Sequence, residues 1–176
     1  MHKALFLDRD GIVNIDKGYV YKWEDIIWIE EIFQIIKLAN EKGYKVIILT
    51  NQSGIDRGMY THEDVHTLHQ KMHAFLVGKN LKIDDWFYCA EMDSELRKPR
   101  PGMLIMARDK HDIDLTQSFM IGDKPSDVFE TDGKFVGPST LLVEGNYDLK
   151  DAHTKERVKV FKDHAKILEE LKKVLL

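Results

Sequence analysis

The chain has 176 residues, 43% of them hydrophobic, with 30 acidic against 26 basic side chains and a formal net charge of -4, enough apolar material for one α/β core and too little for two. That balance excludes an electrostatic case for nucleic acid or an anionic membrane as partner and fits a small metabolite better. Cys89 is the single cysteine, which excludes an intrachain disulfide and a cysteine-rich zinc cluster; with no leader pattern and no apolar run near the ~18 residues of a membrane span, a cytoplasmic monomer is expected.

The first element is an apolar run, Ala4 to Leu7, which ends abruptly in Asp8-Arg9-Asp10-Gly11. Residues Ile32, Ile35, Ile36 and Ala39 then follow at helical spacing, closed by Gly43. A second strand is expected over Lys45 to Leu49, followed by Thr50-Asn51-Gln52-Ser53-Gly54. Thr61 and Asp64 have the spacing of an N-terminal cap for a helix carrying Val65, Leu68, Met72, Phe75 and Leu76. The same helix carries His62, His66, His69 and His73, which read as a solvated face. A third strand, Trp86 to Cys89, places Cys89 in the core. The loop Arg97-Lys98-Pro99-Arg100-Pro101-Gly102 leads to a helix starting at Pro101. Phe119 to Ile121 is a fourth strand, followed by Gly122-Asp123-Lys124-Pro125-Ser126-Asp127. After a surface loop over Gly133 to Ser139, Thr140 to Val143 and an edge strand over Val158 to Phe161 precede a last amphipathic helix bearing Ile167, Leu168, Leu171, Val174 and Leu175. This alternation predicts a Rossmann-like, doubly wound parallel sheet flanked by helices, in a single domain over residues 1–176.

The polar clusters after the first four strands converge on one chemistry, because ligands of such sheets bind beyond the carboxyl ends of the strands. Asp8 and Asp10 share one face if strand geometry persists through them, giving a nucleophile and a proton donor together. Carboxylates suit magnesium, and a divalent cation would offset their repulsion of a phosphate dianion. The hydroxyl, amide and backbone groups of Thr50 to Ser53 can hold phosphate oxygens. Lys98, stiffened by its prolines, presents a fixed positive charge. Asp123 and Asp127 bring further carboxylates to complete a magnesium site, and Lys124 can reach substrate. Arg9 points away from its neighbours and reads as a structural salt bridge.

These four clusters, in this order, resemble the haloacid dehalogenase superfamily of phosphotransferases over nearly the whole chain. The resemblance implies that Asp8 attacks phosphorus to form an aspartyl-phosphate, and that Asp10 protonates the leaving alkoxide and then activates water. It implies that Thr50 and Lys98 hold the transferring phosphoryl group, with magnesium on Asp8, the Asp10 backbone carbonyl and Asp123. Asp127 then sits behind, paired with Lys98 or a metal-bound water. The wording Phe6-Leu7-Asp8-Arg9-Asp10-Gly11-Ile12-Val13-Asn14, with Arg97-Lys98-Pro99, is similar to the capless D-glycero-D-manno-heptose-1,7-bisphosphate 7-phosphatases and to their sisters, the histidinol-phosphate phosphatases. By that likeness Asp16, Lys17, Gly18, Tyr19, Thr50, Asn51, Gln52, Ser53, Arg97, Lys98 and Lys124 contact the substrate. Typical members brace the loop before Arg-Lys-Pro with a zinc ion on Cys and His. Here that segment reads Cys89-Ala90-Glu91-Met92-Asp93-Ser94-Glu95-Leu96, so no structural zinc is expected and the loop must be held otherwise. Histidinol-phosphate hydrolysis and a non-catalytic phosphosugar-binding module stay open as alternatives.

Overall fold

A computed structural model describes residues 1–176. Strands β1 (Ala4–Leu7), β2 (Lys45–Asn51), β3 (Asp85–Cys89) and β4 (Phe119–Gly122) form, with β7 (Ser139–Val143) and β8 (Val158–Phe161), a six-stranded sheet of order β3-β2-β1-β4-β7-β8. Every pairing in it is parallel. The short strands β5 (Glu130–Thr131) and β6 (Lys134–Phe135) pair antiparallel outside it. The expected surface loop over Gly133 to Ser139 is therefore corrected: its first part returns along Glu130–Thr131, a local pairing too short to leave an alternating pattern.

The strands read as continuous apolar runs because both faces of the sheet are covered. Leu5, Leu7, Val46, Ile48 and Ile121 pack with residues of α1 (Glu31–Glu41), α2 (His62–Gly78) and α4 (His164–Val174) in one buried cluster. Their alternates Ala4, Phe6, Ile47, Leu49 and Met120 face α3 (Gly102–His111) through Met103, Leu104 and Ala107 in another. Cys89 is fully buried there, as its strand position suggested. No helix is long and apolar enough to cross a membrane.

The chain winds outward from β1 to β3 in one direction and from β4 to β8 in the other. Neighbouring β1 and β4 thus flank the point where the winding reverses, and the loops leaving them open a crevice at their carboxyl ends. Between Asp10 and Thr50 lie a short 3-10 turn (Trp23–Asp25) and α1; between Thr50 and Lys98 lie α2 and β3. Nothing large enough to cover the crevice is inserted at either place.

α2 begins as its sequence demanded. The Thr61 hydroxyl accepts from the Asp64 backbone N–H at 3.1 Å, and the Asp64 carboxylate accepts from the Thr61 N–H at 2.8 Å. Replacing Thr61 by Ala removes half of this exchange. Thr61→Ala is expected to lower stability by about 1 kcal/mol, read as a lower urea midpoint at unchanged slope.

Candidate active site

β1 hands the chain to Asp8, whose backbone N–H still bonds the Ile121 carbonyl of β4 at 3.0 Å. The Asp8 carboxylate is thereby pinned at the sheet edge, nearly out of solvent. Its Oδ1 accepts from Lys98 Nζ at 3.0 Å and its Oδ2 from Lys124 Nζ at 3.1 Å. Lys98 Nζ also donates to Asp127 Oδ1 at 2.6 Å. The second oxygen of Asp127 accepts from the backbone N–H groups of Asp123 and Lys124, at 3.1 and 3.0 Å, so the turn after β4 folds around that carboxylate.

Lys124 Nζ lies 3.1 Å from Asp8 Oδ2, 3.2 Å from the Asp10 carbonyl oxygen and 3.3 Å from Asp123 Oδ1. An ammonium among these three oxygens is a stand-in for a cation, and they are the oxygens that the resemblance assigns to magnesium. Carboxylate oxygens of Asp8, Asp123 and Asp127 also lie within 4.8 Å of one another. Asp123 Oδ1 is buried, and the Lys124 ammonium at 3.3 Å is poorly aligned to hydrogen-bond it, so this oxygen retains capacity for a metal. Gly11 is part of the fit: at φ +94° a Cβ there would sit 2.1 Å from Asp123 Oδ2.

The ionisation of this cluster is divided. Burial pushes the Asp8 carboxyl up, but the ammonium groups of Lys98 and Lys124 outweigh it and bring the pKa down to about 2. Asp123, buried and facing the Asp8 charge, is pushed up to about 8. Burial alone would lower the pKa of Lys98; the Asp127 and Asp8 carboxylates overcome it and hold the ammonium charged.

Asp10 differs from the expectation of two carboxylates side by side. The strand pairing of β1 ends at Leu7, and the backbone turns so that the Asp10 carbonyl, rather than its carboxylate, meets the Lys124 ammonium beside Asp8. The carboxylate is gripped elsewhere. Arg9 donates to Oδ1 through Nε at 3.2 Å and through Nη2 at 2.9 Å, and to Oδ2 through Nη2 at 3.0 Å. Asn14 Nδ2 and Gln52 Nε2 each add a bond at 3.0 Å. Gln52 also donates to Thr50 Oγ1 at 2.9 Å and accepts from the Tyr60 hydroxyl at 2.7 Å. Gly54 makes that last contact possible, since a Cβ there would lie 2.1 Å from the Tyr60 ring.

A cavity of about 510 Å³ opens over these groups, lined among others by Asp8, Asp10, Asp16, Gly18, Tyr19 and Lys124. Asn51, Gln52, Ser53, Arg97 and Lys98 also line it. Lys17, Thr50 and Asp123 do not: Lys17 is exposed, Thr50 and Asp123 are buried, and Asp123 lines a second cavity with Gly11 and Asp16. Arg97 Nη1 is buried without a hydrogen-bond partner. The loop carrying Arg97 and Lys98 is held by hydrogen bonds. Asn51 exchanges two with the Lys98 backbone, at 3.0 and 3.1 Å. Met92 N–H donates to Asp56 at 2.9 Å, Arg97 N–H to the Ser94 carbonyl at 3.1 Å, and Gly102 N–H to the Glu95 carbonyl at 3.0 Å.

Some lining residues escaped the sequence reading. Arg57, Tyr60 and Tyr147 belong to the cavity; Tyr60 and Arg57 follow the Thr50 to Gly54 cluster closely enough to have been considered, whereas nothing local marks Tyr147. The helix histidines need a correction. His62 and His66 hydrogen-bond the Tyr88 hydroxyl, each at 2.8 Å, and His73 accepts from Trp86 Nε1 at 3.2 Å. His69 is not solvated: it is 6% exposed, packs against Trp86 with ring centroids 4.8 Å apart and the planes tilted by 33°, and reaches Arg9.

Residues 4–167 match the family model described as polynucleotide kinase 3 phosphatase. The chain is 42% identical over 166 residues to the D-glycero-beta-D-manno-heptose-1,7-bisphosphate 7-phosphatase of Helicobacter pylori, covering 92% of this chain and 95% of the relative. It is 39% identical, again over 166 residues, to the D-glycero-alpha-D-manno-heptose-1,7-bisphosphate 7-phosphatase of Campylobacter jejuni, covering 92% and 96%. The crystal structure of the D,D-heptose 1,7-bisphosphate phosphatase of B. bronchiseptica, complexed with magnesium and phosphate, superposes with a TM-score of 0.83 at 29% identity, over 97% of this chain and 98% of that one. With its parallel sheet and its four motifs at one edge, the chain belongs to the polynucleotide kinase 3 phosphatase family, within the haloacid dehalogenase superfamily of phosphatases.

Proposed function

We propose that this protein is a magnesium-dependent phosphatase that removes the 7-phosphate of D-glycero-D-manno-heptose 1,7-bisphosphate, a step toward nucleotide-heptose precursors of surface glycans. Residues 1–176 act as one catalytic domain without a cap. The observation that carries the reading is the Asp8 carboxylate, held ionised between two ammonium groups in the floor of a polar cavity, in a chain whose relatives over nine-tenths of its length are named as such phosphatases.

The chemistry follows from these residues. An Asp8 oxygen attacks the phosphorus of the 7-phosphate; the bond to the sugar oxygen breaks, and Asp10 gives that oxygen its proton. An aspartyl-phosphate is left on Asp8. Asp10 then takes a proton from water, whose oxygen attacks phosphorus and frees Asp8 and inorganic phosphate. Lys98 keeps Asp8 oriented and shares the phosphoryl charge with Thr50. Arg97, with a buried nitrogen unpartnered, and the Asp16 to Tyr19 and Asn51 to Ser53 segments take the rest of the substrate, a guanidinium being suited to a second phosphate. Asp8, the Asp10 carbonyl and Asp123 would hold magnesium, with Asp127 behind them. When bound, the ion supplies neutralisation between the Asp8 carboxylate and the phosphate dianion.

The reading is tested with a panel of phosphorylated metabolites, including heptose 1,7-bisphosphate and histidinol phosphate, with magnesium or with a chelator. Preferred turnover of the heptose bisphosphate, dependent on magnesium, is expected; equal rates on generic phosphate esters would remove the sugar assignment. Asp8→Asn is expected to lower kcat by about 10³-fold or more while folding normally, and near-normal turnover in it would exclude the covalent step. Asp123 supplies a pH test. Its folded pKa of about 8 lies above the unfolded value of about 4, so the metal-free fold binds the extra proton. Stability then falls as pH rises from about 4 to about 8. Asp123→Asn should therefore melt higher than the unsubstituted protein at pH 8 in chelator, with the gap closing toward pH 4, and should lose magnesium-dependent turnover.

A further inference from the structure

Arg9 and His69 have no part in the motif chemistry, yet both are buried directly behind the acid that the proposed reaction uses twice. Arg9 is fully buried and His69 is 6% exposed. The Arg9 guanidinium grips both oxygens of Asp10 from one side, donates to the Val20 carbonyl at 2.5 Å, and places Nη1 at 3.2 Å from His69 Nε2. A guanidinium can only donate. His69 Nε2 must therefore accept, which fixes the imidazole as neutral with its proton on Nδ1. Its surroundings agree: burial, then the Arg9 charge, then His66 hold its pKa well below the ordinary value. Trp86, tilted against it at 4.8 Å, and Tyr88, edge-on at 6.0 Å, fix the ring from β3.

We infer that His69 is a positioning residue for the proposed phosphatase reaction, acting through Arg9 to fix the rotation of the Asp10 carboxylate. The chain of contacts runs from α2 through the guanidinium fork to Asp10, and no atom of His69 touches the reacting groups. The Arg9 side chain has three partners: the Asp10 carboxylate it positions, and two fixed points that hold it, the Val20 carbonyl at the end of the loop over the cavity and a histidine packed in an aromatic wall. Remove the histidine acceptor and Nη1 is left buried without a partner. The fork then gains freedom to rotate, and Asp10 with it. A proton carrier loses rate steeply with small misplacement, whereas ground-state binding at Asp8, Lys98 and Arg97 is untouched.

The inference rests on the phosphatase reading, and the test separates the two. Three variants are compared with the unsubstituted enzyme on heptose 1,7-bisphosphate with magnesium: His69→Leu, which removes the acceptor; His69→Gln, whose amide oxygen restores one; and Arg9→Lys, which keeps charge but loses the fork. His69→Leu is expected to lose about tenfold in kcat at unchanged KM, His69→Gln to recover most of it, and Arg9→Lys to fall at least as far as His69→Leu. Undiminished kcat in His69→Leu, equal losses in the Leu and Gln variants, or a loss seen in KM alone overturns the inference. If His69→Leu does not fold, the Gln and Lys variants decide it: Gln near normal with Lys impaired supports, the reverse overturns. No turnover by the unsubstituted enzyme would instead overturn the phosphatase reading.

Discussion

The ammonium of Lys98, shut away from water between Asp8 and Asp127, is the interaction on which the site depends. Ions of this kind cost several kcal/mol each to bury, and only close, well-aligned partners offset that. Three separate loops must therefore arrive together. Asp8 and Asp127 follow β1 and β4, which are neighbours, so the sheet brings them close without further help. Lys98 follows β3, which is separated from β1 by β2. Asn51, at the end of β2, closes the distance. Its amide exchanges two hydrogen bonds with the Lys98 backbone, pulling the loop across the strand end so that the side chain can reach Asp8. The same polar residue that reads as a phosphate contact in sequence is thus a bracket in the fold.

Charge counting explains why the acids are not equivalent. Three buried carboxylates, Asp8, Asp123 and Asp127, face two ammonium groups, Lys98 and Lys124. Asp8 is in contact with both and stays ionised. Asp123 has only the shared attention of Lys124 and takes up the imbalance, its pKa raised to about 8. A divalent ion at these oxygens would reverse the imbalance and prepare the cluster for an incoming dianion. The Lys124 ammonium, no longer required among the oxygens of Asp8, Asp10 and Asp123, would then be available to the phosphate. A flexible lysine is suited to that double duty because its charge is a point on a long stem.

The parts of the molecule legible in sequence are those in which local pattern and tertiary role coincide. The strand Ala4–Leu7 and the Thr61 cap are set by contacts within a few residues, and the order of acids, hydroxyl and lysine after successive strands follows from topology that the α/β alternation already implies. Asp10 was half legible. Its residue type was plain, but the alternation rule failed one residue past Leu7, where strand pairing stops. His69 was misread because its helix face carries three other histidines at the same spacing; only contact with Arg9, sixty residues earlier in the chain, distinguishes the buried one. Arg9 does form a salt bridge, but the alternation that points it away from its neighbours fails: its partner is the carboxylate next to it.

The absence of any large insertion after Asp10 or Thr50 leaves the Asp8 carboxylate facing a cavity whose walls are loops, and this has a chemical consequence. An aspartyl-phosphate under a closed cap can persist long enough to be passed to a second hydroxyl; in a cavity open to water it meets water first. Hydrolysis is then the expected fate, provided that the base which activates the water is already in position. Asp10, the base of the proposed reaction, is held by several donors at once. It receives hydrogen bonds from Arg9 and Asn14 on either side of it in the loop after β1, and from Gln52 after β2. The same Arg9 holds the Val20 carbonyl, so the loop over the cavity and the acid beneath it share one anchor. A capless phosphatase can do without a lid if its proton carrier is rigid, and in the proposed reaction the buried guanidinium would supply that rigidity to Asp10.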